Sequence, residues 1–173
     1  MTRRNRRVTS MSPALIAWRM TYSFGLDVFD YLRALQESVE RSRLDYLNGV
    51  LAQDCACKAW HLREHVFRVP QVGCQFARPD DFRKYVTDAC PELDLLRVVC
   101  NAQKHTDFLE SSTGEVLTVR YHQGDFSKEF NRRDFNTDRL EIKLTDGRVE
   151  LFDDVIDRAV SFWSQFFENH AIE

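Results

Sequence analysis

The sequence predicts a mainly α-helical bundle with a small antiparallel β-sheet inserted before the C-terminal helix. Apolar residues recur every three or four positions over four long stretches, which is the spacing of amphipathic helices. Between residues 115 and 151 the pattern changes to alternation, which is typical of half-buried strands. We therefore expect one domain over residues 1–173, with a β insertion at residues 115–151 and a C-terminal helix at residues 153–170.

The composition is that of an ordinary globular chain. Of 173 residues, 43% are hydrophobic and 12% aromatic, while only six are glycine and four proline. This aromatic content excludes intrinsic disorder, and the scarcity of glycine and proline excludes collagen-like chains. The net charge is −3, so the chain lacks the overall positive charge that is typical of nucleic-acid-binding proteins.

The start of the chain and its cysteines indicate a compartment. Four arginines lie within residues 1–7, and we interpret residues 1–11 as a flexible basic tail. The apolar run after Pro13 ends at Arg19, which is too short for a secretion signal, and no stretch approaches the ~20 apolar residues of a membrane-spanning helix. We therefore expect a cytoplasmic protein whose five cysteines are reduced thiols: Cys55, Cys57, Cys74, Cys90 and Cys100.

The first half of the chain is predicted to be helical. Ser12-Pro13 is a helix-start signal. Apolar residues then repeat from Val28 to Val39 and again from Leu44 to Val66, and these two long helices are expected to pack antiparallel as a hairpin. The segment Val69–Gly73 interrupts the helical period.

Two shorter helices follow, and each is introduced by a proline. Pro79 precedes two aspartates, which the positive end of the helix dipole favours, so a short helix is predicted from there to about Cys90. Pro91 then opens a helix from Glu92 to about Thr106.

The last third of the chain contains the predicted strands and the final helix. Apolar and polar residues alternate from Leu117 to Tyr121 and from Leu140 to Leu144. Asp146-Gly147 is a tight-turn signal that leads into a third strand near Val149. From residue 153 onward a wide apolar face predicts a helix that is docked on the core.

The helix that starts at Glu92 carries the most informative polar residues. At 100° per residue, Asp94, Arg97, Asn101 and His105 fall within an arc of about 80°, with Lys104 at its margin. Leucines, valine and cysteine occupy the other side. An imidazole, an amide, a guanidinium and a carboxylate therefore share one stripe near the helix C-terminus.

This stripe has the groups needed for acid/base chemistry on a phosphodiester. His105 can exchange protons near neutral pH, and Arg97 with Lys104 can hold a phosphate or stabilise its developing charge. Asn101 can orient the imidazole or a substrate hydroxyl. With the 2′-hydroxyl of RNA as nucleophile, this set suffices for metal-independent cleavage. The other interpretation is a solvated helix face on which the dipole favours a C-terminal histidine.

The motif Leu95-Leu96-Arg97-x-x-x-Asn101-x-x-Lys104-His105 resembles the Asn-x-x-Lys-His helix of uncharacterised bacterial proteins related to HEPN domains. Many HEPN domains are all-α, metal-independent ribonucleases of toxins and phage-defence systems, with the active site in a dimer cleft. The two long N-terminal helices and the hairpin before the Trp163 helix also fit, so the likeness covers most of the chain.

The resemblance implies a role for each residue of the stripe. His105 would be the acid/base residue and Asn101 the orienting group, Arg97 and Lys104 would contact phosphate, and Asp94 would fix Arg97 or the imidazole. It also implies RNA as a partner, a homodimer, and neither a metal nor another cofactor.

One position departs from the catalytic HEPN pattern. That pattern has arginine directly before the polar residue, where this chain has Cys100, and Arg97 lies about two helical turns before His105. Two functions therefore stay open. One is RNA binding or cleavage by metal-independent acid/base chemistry, and the other is a non-catalytic protein-interaction or scaffold module of a bacterial defence or regulatory assembly.

A second motif suggests a metal. His61-Leu62-Arg63-Glu64-His65 matches the inverted zinc-protease pattern, in which two histidines bind zinc and the glutamate is the general base. Such a site needs a third ligand, and the downstream candidate, Glu141, falls in a predicted strand. The alternative is an ordinary helix end with Trp60 packed inside.

We predict that the chain cleaves mixed cellular RNA in the presence of EDTA and that His105→Ala abolishes this cleavage. The imidazole is the acid/base group of the expected chemistry, and EDTA suppresses metal-dependent nucleases. Gel electrophoresis of RNA incubated with each protein is the measurement. Equal inactivity of the two proteins would favour the interaction module.

Overall fold

The structure of the protein is a computed structural model that describes residues 27–102, 118–127, 129–130, 136–170 and 172. These residues form six helices and three strands, in the order α1 (Val28–Leu44), α2 (Gly49–Phe67), α3 (Pro70–Gly73), α4 (Pro79–Ala89), α5 (Glu92–Ala102), β1 (Thr118–His122), β2 (Arg139–Lys143), β3 (Val149–Leu151) and α6 (Phe152–Asn169). The predicted fold class is confirmed, because the chain is mainly helical with a small antiparallel sheet before its last helix.

Helices α1 and α2 pack antiparallel, as the sequence predicts. The Ser38 hydroxyl of α1 donates a hydrogen bond to Asp54 in the first half of α2 (2.8 Å). Near the opposite end of the pair, the ring of Tyr31 stacks on that of His65, with centroids 3.4 Å apart. The start of α1 therefore lies beside the end of α2.

The boundary between these helices differs from the prediction. The apolar period places the start of the second helix at Leu44, but α1 ends there and α2 begins at Gly49. The Asn48 side-chain oxygen caps α2 by accepting from the N–H groups of Val50 (3.0 Å) and Leu51 (3.3 Å). Leu44 is 87% exposed, so it does not belong to the buried face of α2, although its position matches the helical spacing of that face.

Helix α2 is the centre of the bundle. It packs against all of the other described helices, most extensively against α1 and α5. Small side chains on several of its sides are fully buried and allow this close approach: Ala52, Cys55, Ala56 and Ala59.

The final helix docks on α2 through its aromatic residues. Trp163 is fully buried, and its indole Nε1 donates a hydrogen bond to the carbonyl oxygen of Ala59 (3.0 Å). Phe166 and Phe167 are also buried, so the aromatic side chains of this helix face belong to the core. The observed helix begins at Phe152, one residue before the predicted start.

The sheet has the strand order β1-β2-β3, and both pairs are antiparallel. The β2–β3 hairpin turns at the predicted Asp146-Gly147, where Gly147 has φ of 88° and adopts the left-handed conformation that glycine tolerates. Leu140 and Ile142 are buried, and β2 and β3 pack on α6. The opposite face of β2 carries Glu141.

The structure changes some of the other predictions, and some concern residues that it does not describe. Residues 70–73, predicted as an interruption, form one helical turn with Pro70 at its start. The helix predicted from Glu92 is seen as far as Ala102. Residues 1–11, the helix start at Ser12-Pro13 and residues 115–117 of the insertion lie outside the described residues. Among the helices that are described, none is long and apolar enough to cross a membrane.

We predict that Trp163→Ala lowers the free energy of unfolding by about 3–5 kcal/mol, because it removes a large buried ring and leaves a cavity against α2. Denaturant unfolding monitored by circular dichroism is the measurement. The control is Gln165→Ala on the exposed face of the same helix, for which we expect a change within about 0.5 kcal/mol. Similar losses for the two variants would contradict the central packing of Trp163.

Candidate functional site

Helix α5 presents three of the five predicted site residues. Arg97 Nε donates to Asp94 Oδ1 at 2.7 Å, and the guanidinium side chain is 20% exposed while the carboxylate is 45% exposed. Asn101 is half-buried one turn further on, and its side-chain amide forms no hydrogen bond with another residue that the structure describes. Lys104 and His105 lie outside the described residues.

Packing of α5 on α2 determines where these residues point. Leu93, Leu96 and Cys100 are fully buried on one side of α5. On the α2 side of this interface, Gln53 donates to the carbonyl oxygen of Val99 at 3.4 Å. Because Arg97 is the residue of the stripe nearest this buried side around the helix, it borders the seam between α2 and α5.

Four arginines come together beside this seam, and we call them the arginine cluster: Arg63, Arg68, Arg83 and Arg97. They belong to α2, its C-cap, α4 and α5, respectively. Burial lowers the pKa of the Arg63 guanidinium; Glu64 opposes this effect, and the positive charges of Arg83 and Arg97 lower the pKa further. Like charges from three helices are therefore near enough to repel one another.

A cleft of about 300 Å³ lies between α2 and α4 at the arginine cluster. It is lined by three arginines, two carboxylates, a proline and two aromatic rings: Arg63, Arg68, Arg83, Glu64, Asp80, Pro79, Phe67 and Phe82. Because the three guanidinium groups outnumber the two carboxylates, this lining suits a ligand that has an anionic group.

Acidic neighbours hold three of the four arginines in place. Glu64 accepts from Arg63 at 2.9 Å, and Asp80 lies 3.3 Å from Arg83. The third pair is Asp94 with Arg97. Arg68 forms no ion pair with a carboxylate of the described residues, although its charge helps to lower the pKa of Glu64. The cluster therefore keeps an excess of positive charge although the whole chain is slightly acidic.

The His-x-x-Glu-His segment forms different contacts from those of a zinc site. His61 Nδ1 lies 3.1 Å from Glu64 Oε1, and the His65 ring is stacked on Tyr31. Burial and the nearby charge of Arg68 lower the pKa of His65. Within the described part of the chain, no three histidine, cysteine, aspartate or glutamate side chains are arranged to hold a metal.

Glu141, the third ligand suggested by that motif, is engaged elsewhere. It is buried on β2 and accepts from Arg120 Nη2 and Arg139 Nε, both at 2.9 Å. His122 Nδ1 lies 3.4 Å from the same carboxylate. Burial raises the pKa of Glu141, but the two arginines outweigh this effect and hold the pKa below its ordinary value of 4.5. The carboxylate is a structural anchor of the sheet.

Comparisons with known proteins found no counterpart. No family model matches the chain, and no curated protein or solved structure does. Any assignment of function therefore depends on the side chains themselves and on the resemblance of the α5 motif.

Part of this site is not predictable from the sequence. No sequence pattern marks Arg68 or Arg83 as functional, and Arg63 stands out only within the zinc-like motif. The spacing Asp80-x-x-Arg83 is a usable signal, because residues three apart on a helix form an ion pair that orients the guanidinium. The proximity of these arginines depends on how the helices pack, which is a feature of the tertiary structure.

We predict that Glu141→Gln lowers the free energy of unfolding by about 1–3 kcal/mol at neutral pH. The folded-state pKa of Glu141 is depressed, so its carboxylate contributes fully to the free energy of unfolding above its ordinary pKa. This contribution is lost as the pH falls through the lower, folded-state pKa. The difference in free energy of unfolding between wild type and variant should therefore become smaller from pH 7 to about pH 3. Urea unfolding across this range is the measurement, with half-exposed Glu150→Gln as control. A gap that does not narrow would contradict the role of the charge.

Proposed function

We propose that this protein binds RNA at the arginine cluster and the adjoining face of α5, and that it cleaves the RNA there by metal-independent acid/base chemistry. The observation that carries this proposal is the cleft between α2 and α4, which Arg63, Arg68 and Arg83 line together, with the charge of Arg97 near enough to lower the pKa of Arg63. Guanidinium groups brought together in this way repel one another, and a phosphodiester relieves the repulsion.

The geometry of Arg63 and Arg97 suits a phosphate ligand. Each guanidinium is mostly buried, while the carboxylate that pairs with it is nearly half exposed. Because the carboxylates are partly exposed, water screens their attraction to the arginines, and they orient the guanidinium groups without competing strongly with a phosphate. Of the two rings at the adjacent cleft, Phe82 is buried, and the partly exposed ring of Phe67 is the one on which an unpaired base can stack.

The cleavage step rests on the α5 motif and its resemblance to HEPN domains. In this proposal His105 takes the proton of the 2′-hydroxyl as the 2′-oxygen bonds to phosphorus, and it returns a proton to the 5′-oxygen as the bond from phosphorus to that oxygen breaks. Asn101 orients the reacting group, and Arg97 with Lys104 stabilises the charge on phosphorus. Asp94 fixes the direction of Arg97. Two copies of the α5 face would meet in a homodimer and form one cleft, as the resemblance implies.

A non-catalytic interaction module is the second candidate. It is supported by two strongly exposed apolar side chains, Leu44 and Val50, which flank the turn between α1 and α2. Apolar residues at such a turn suit contact with another protein. Association through them would be insensitive to salt, whereas binding of RNA at the arginine cluster would weaken steeply with salt.

We predict that a fluorescently labelled single-stranded RNA binds the His105→Ala protein and that Arg63→Ala or Arg97→Ala, added to it, weakens binding about three- to tenfold. Each substitution should also lower the magnitude of the slope of log affinity against log salt by about 0.7, because one phosphate contact is lost. Fluorescence anisotropy from about 50 to 200 mM salt is the measurement.

Arg33→Ala is the matched control, because it removes the same charge from an exposed position on α1. We expect its affinity and salt slope to equal those of the parent protein. If Arg33→Ala and Arg97→Ala lower the affinity for RNA equally, binding depends only on the overall charge of the protein, which would contradict a site at the arginine cluster. Absence of binding by the parent protein would favour the interaction module.

A further inference from the structure

A thiol, an imidazole and a carboxylate lie in sequence across the seam between α2 and α5. Cys100 Sγ of α5 is 3.7 Å from His61 Nε2 of α2. On the other side of the ring, His61 Nδ1 is 3.1 Å from Glu64 Oε1. The order is nucleophile, base and orienting group, which is the arrangement that activates a cysteine.

The three groups differ in their access to solvent. Cys100 is 2% exposed, whereas the side chain of His61 is 41% exposed. The imidazole therefore touches both the buried sulfur and the solvent, and it can carry a proton between them. Burial to this extent excludes a peptide or another bulky acyl substrate from the sulfur, so the reagent that suits it is a small one.

Glu64 is held as a carboxylate that orients the ring. Burial raises its pKa, but the hydrogen bond with His61 and the charge of Arg63 outweigh this effect and lower the pKa. With Nδ1–H donating to Glu64, Nε2 is left as the acceptor that faces the thiol.

We propose that Cys100 is a peroxide-reactive thiol, activated by His61 and Glu64. His61 takes the thiol proton, and the thiolate attacks one oxygen of a hydroperoxide. The S–O bond forms as the O–O bond breaks, and the leaving oxygen receives the proton from His61. The sulfur is oxidised by two electrons to a sulfenic acid, and the hydroperoxide is reduced to water or an alcohol. This reaction does not depend on RNA binding.

The chain contains matched controls for this reaction. Cys55 and Cys90 are buried like Cys100, and burial is the largest cause that raises the pKa of their thiols to about 11 and about 12. The hydrogen bond of the Cys90 thiol is to a carboxylate, that of Glu92, which disfavours the thiolate. Cys74 is exposed and reports the rate of an accessible thiol.

The test treats the folded, full-length protein with hydrogen peroxide and a cyclic 1,3-diketone that traps sulfenic acids, and it follows each cysteine by peptide mass spectrometry. We expect Cys100 to be labelled at least about tenfold faster than Cys55 and Cys90 at neutral pH. His61→Gln should slow Cys100 to the rate of those two cysteines, and Glu64→Gln should give an intermediate rate.

The pH profile separates activation from simple exposure. In the wild type, labelling of Cys100 should reach its plateau at lower pH than labelling of Cys74, and His61→Gln should remove this difference. Labelling of Cys100 no faster than Cys55, or faster labelling after His61→Gln, would overturn the proposal, since the imidazole would then only cover the sulfur. Both substituted residues are partly exposed, so the variants are expected to fold, and circular dichroism checks this.

Discussion

The close approach of neighbouring helices to α2 is the constraint on which the rest of the structure depends. Small residues, among them Ala52, Ala56 and Ala59, leave room for other helices on several sides of α2. The carbonyl of Ala59 also accepts the indole hydrogen bond of Trp163, which ties the last helix to the centre of the bundle. A larger side chain at these alanines would push α1, α5 or α6 outward, because the interior is close-packed.

The same packing creates the chemistry at the surface of the bundle. Because α5 lies along α2, Arg97 comes near Arg63, and Cys100 comes to rest against His61. Helix α4 closes the cleft and adds Arg83. The arginine cluster and the thiol–imidazole pair thus both border α2, and displacement of α5 would move Arg97 away from the first and Cys100 away from the second.

Much of the fold was predictable because it depends on local periodicity. The helical spacing, the alternation in the strands and the Asp146-Gly147 turn each reflect a repeat that is visible in a short window of sequence. The error at Leu44 arose because an apolar residue continued the helical spacing through a turn. The capping residue Asn48 was the better local signal, since it satisfies backbone N–H groups at the true helix start.

The sequence by itself determined most of the helices, the sheet and the common face of Asp94, Arg97 and Asn101 on α5, because residues one turn apart on a helix must share a face. It also contained a zinc-like motif that the structure uses differently, with His61 on Glu64 and Glu141 bound by two arginines. Only the tertiary structure decided that Arg63, Arg83 and Arg97 converge and that His61 faces Cys100. The physical reason is that these residues belong to different helices, whose relative placement follows from the shape of the buried core and from no short-range pattern.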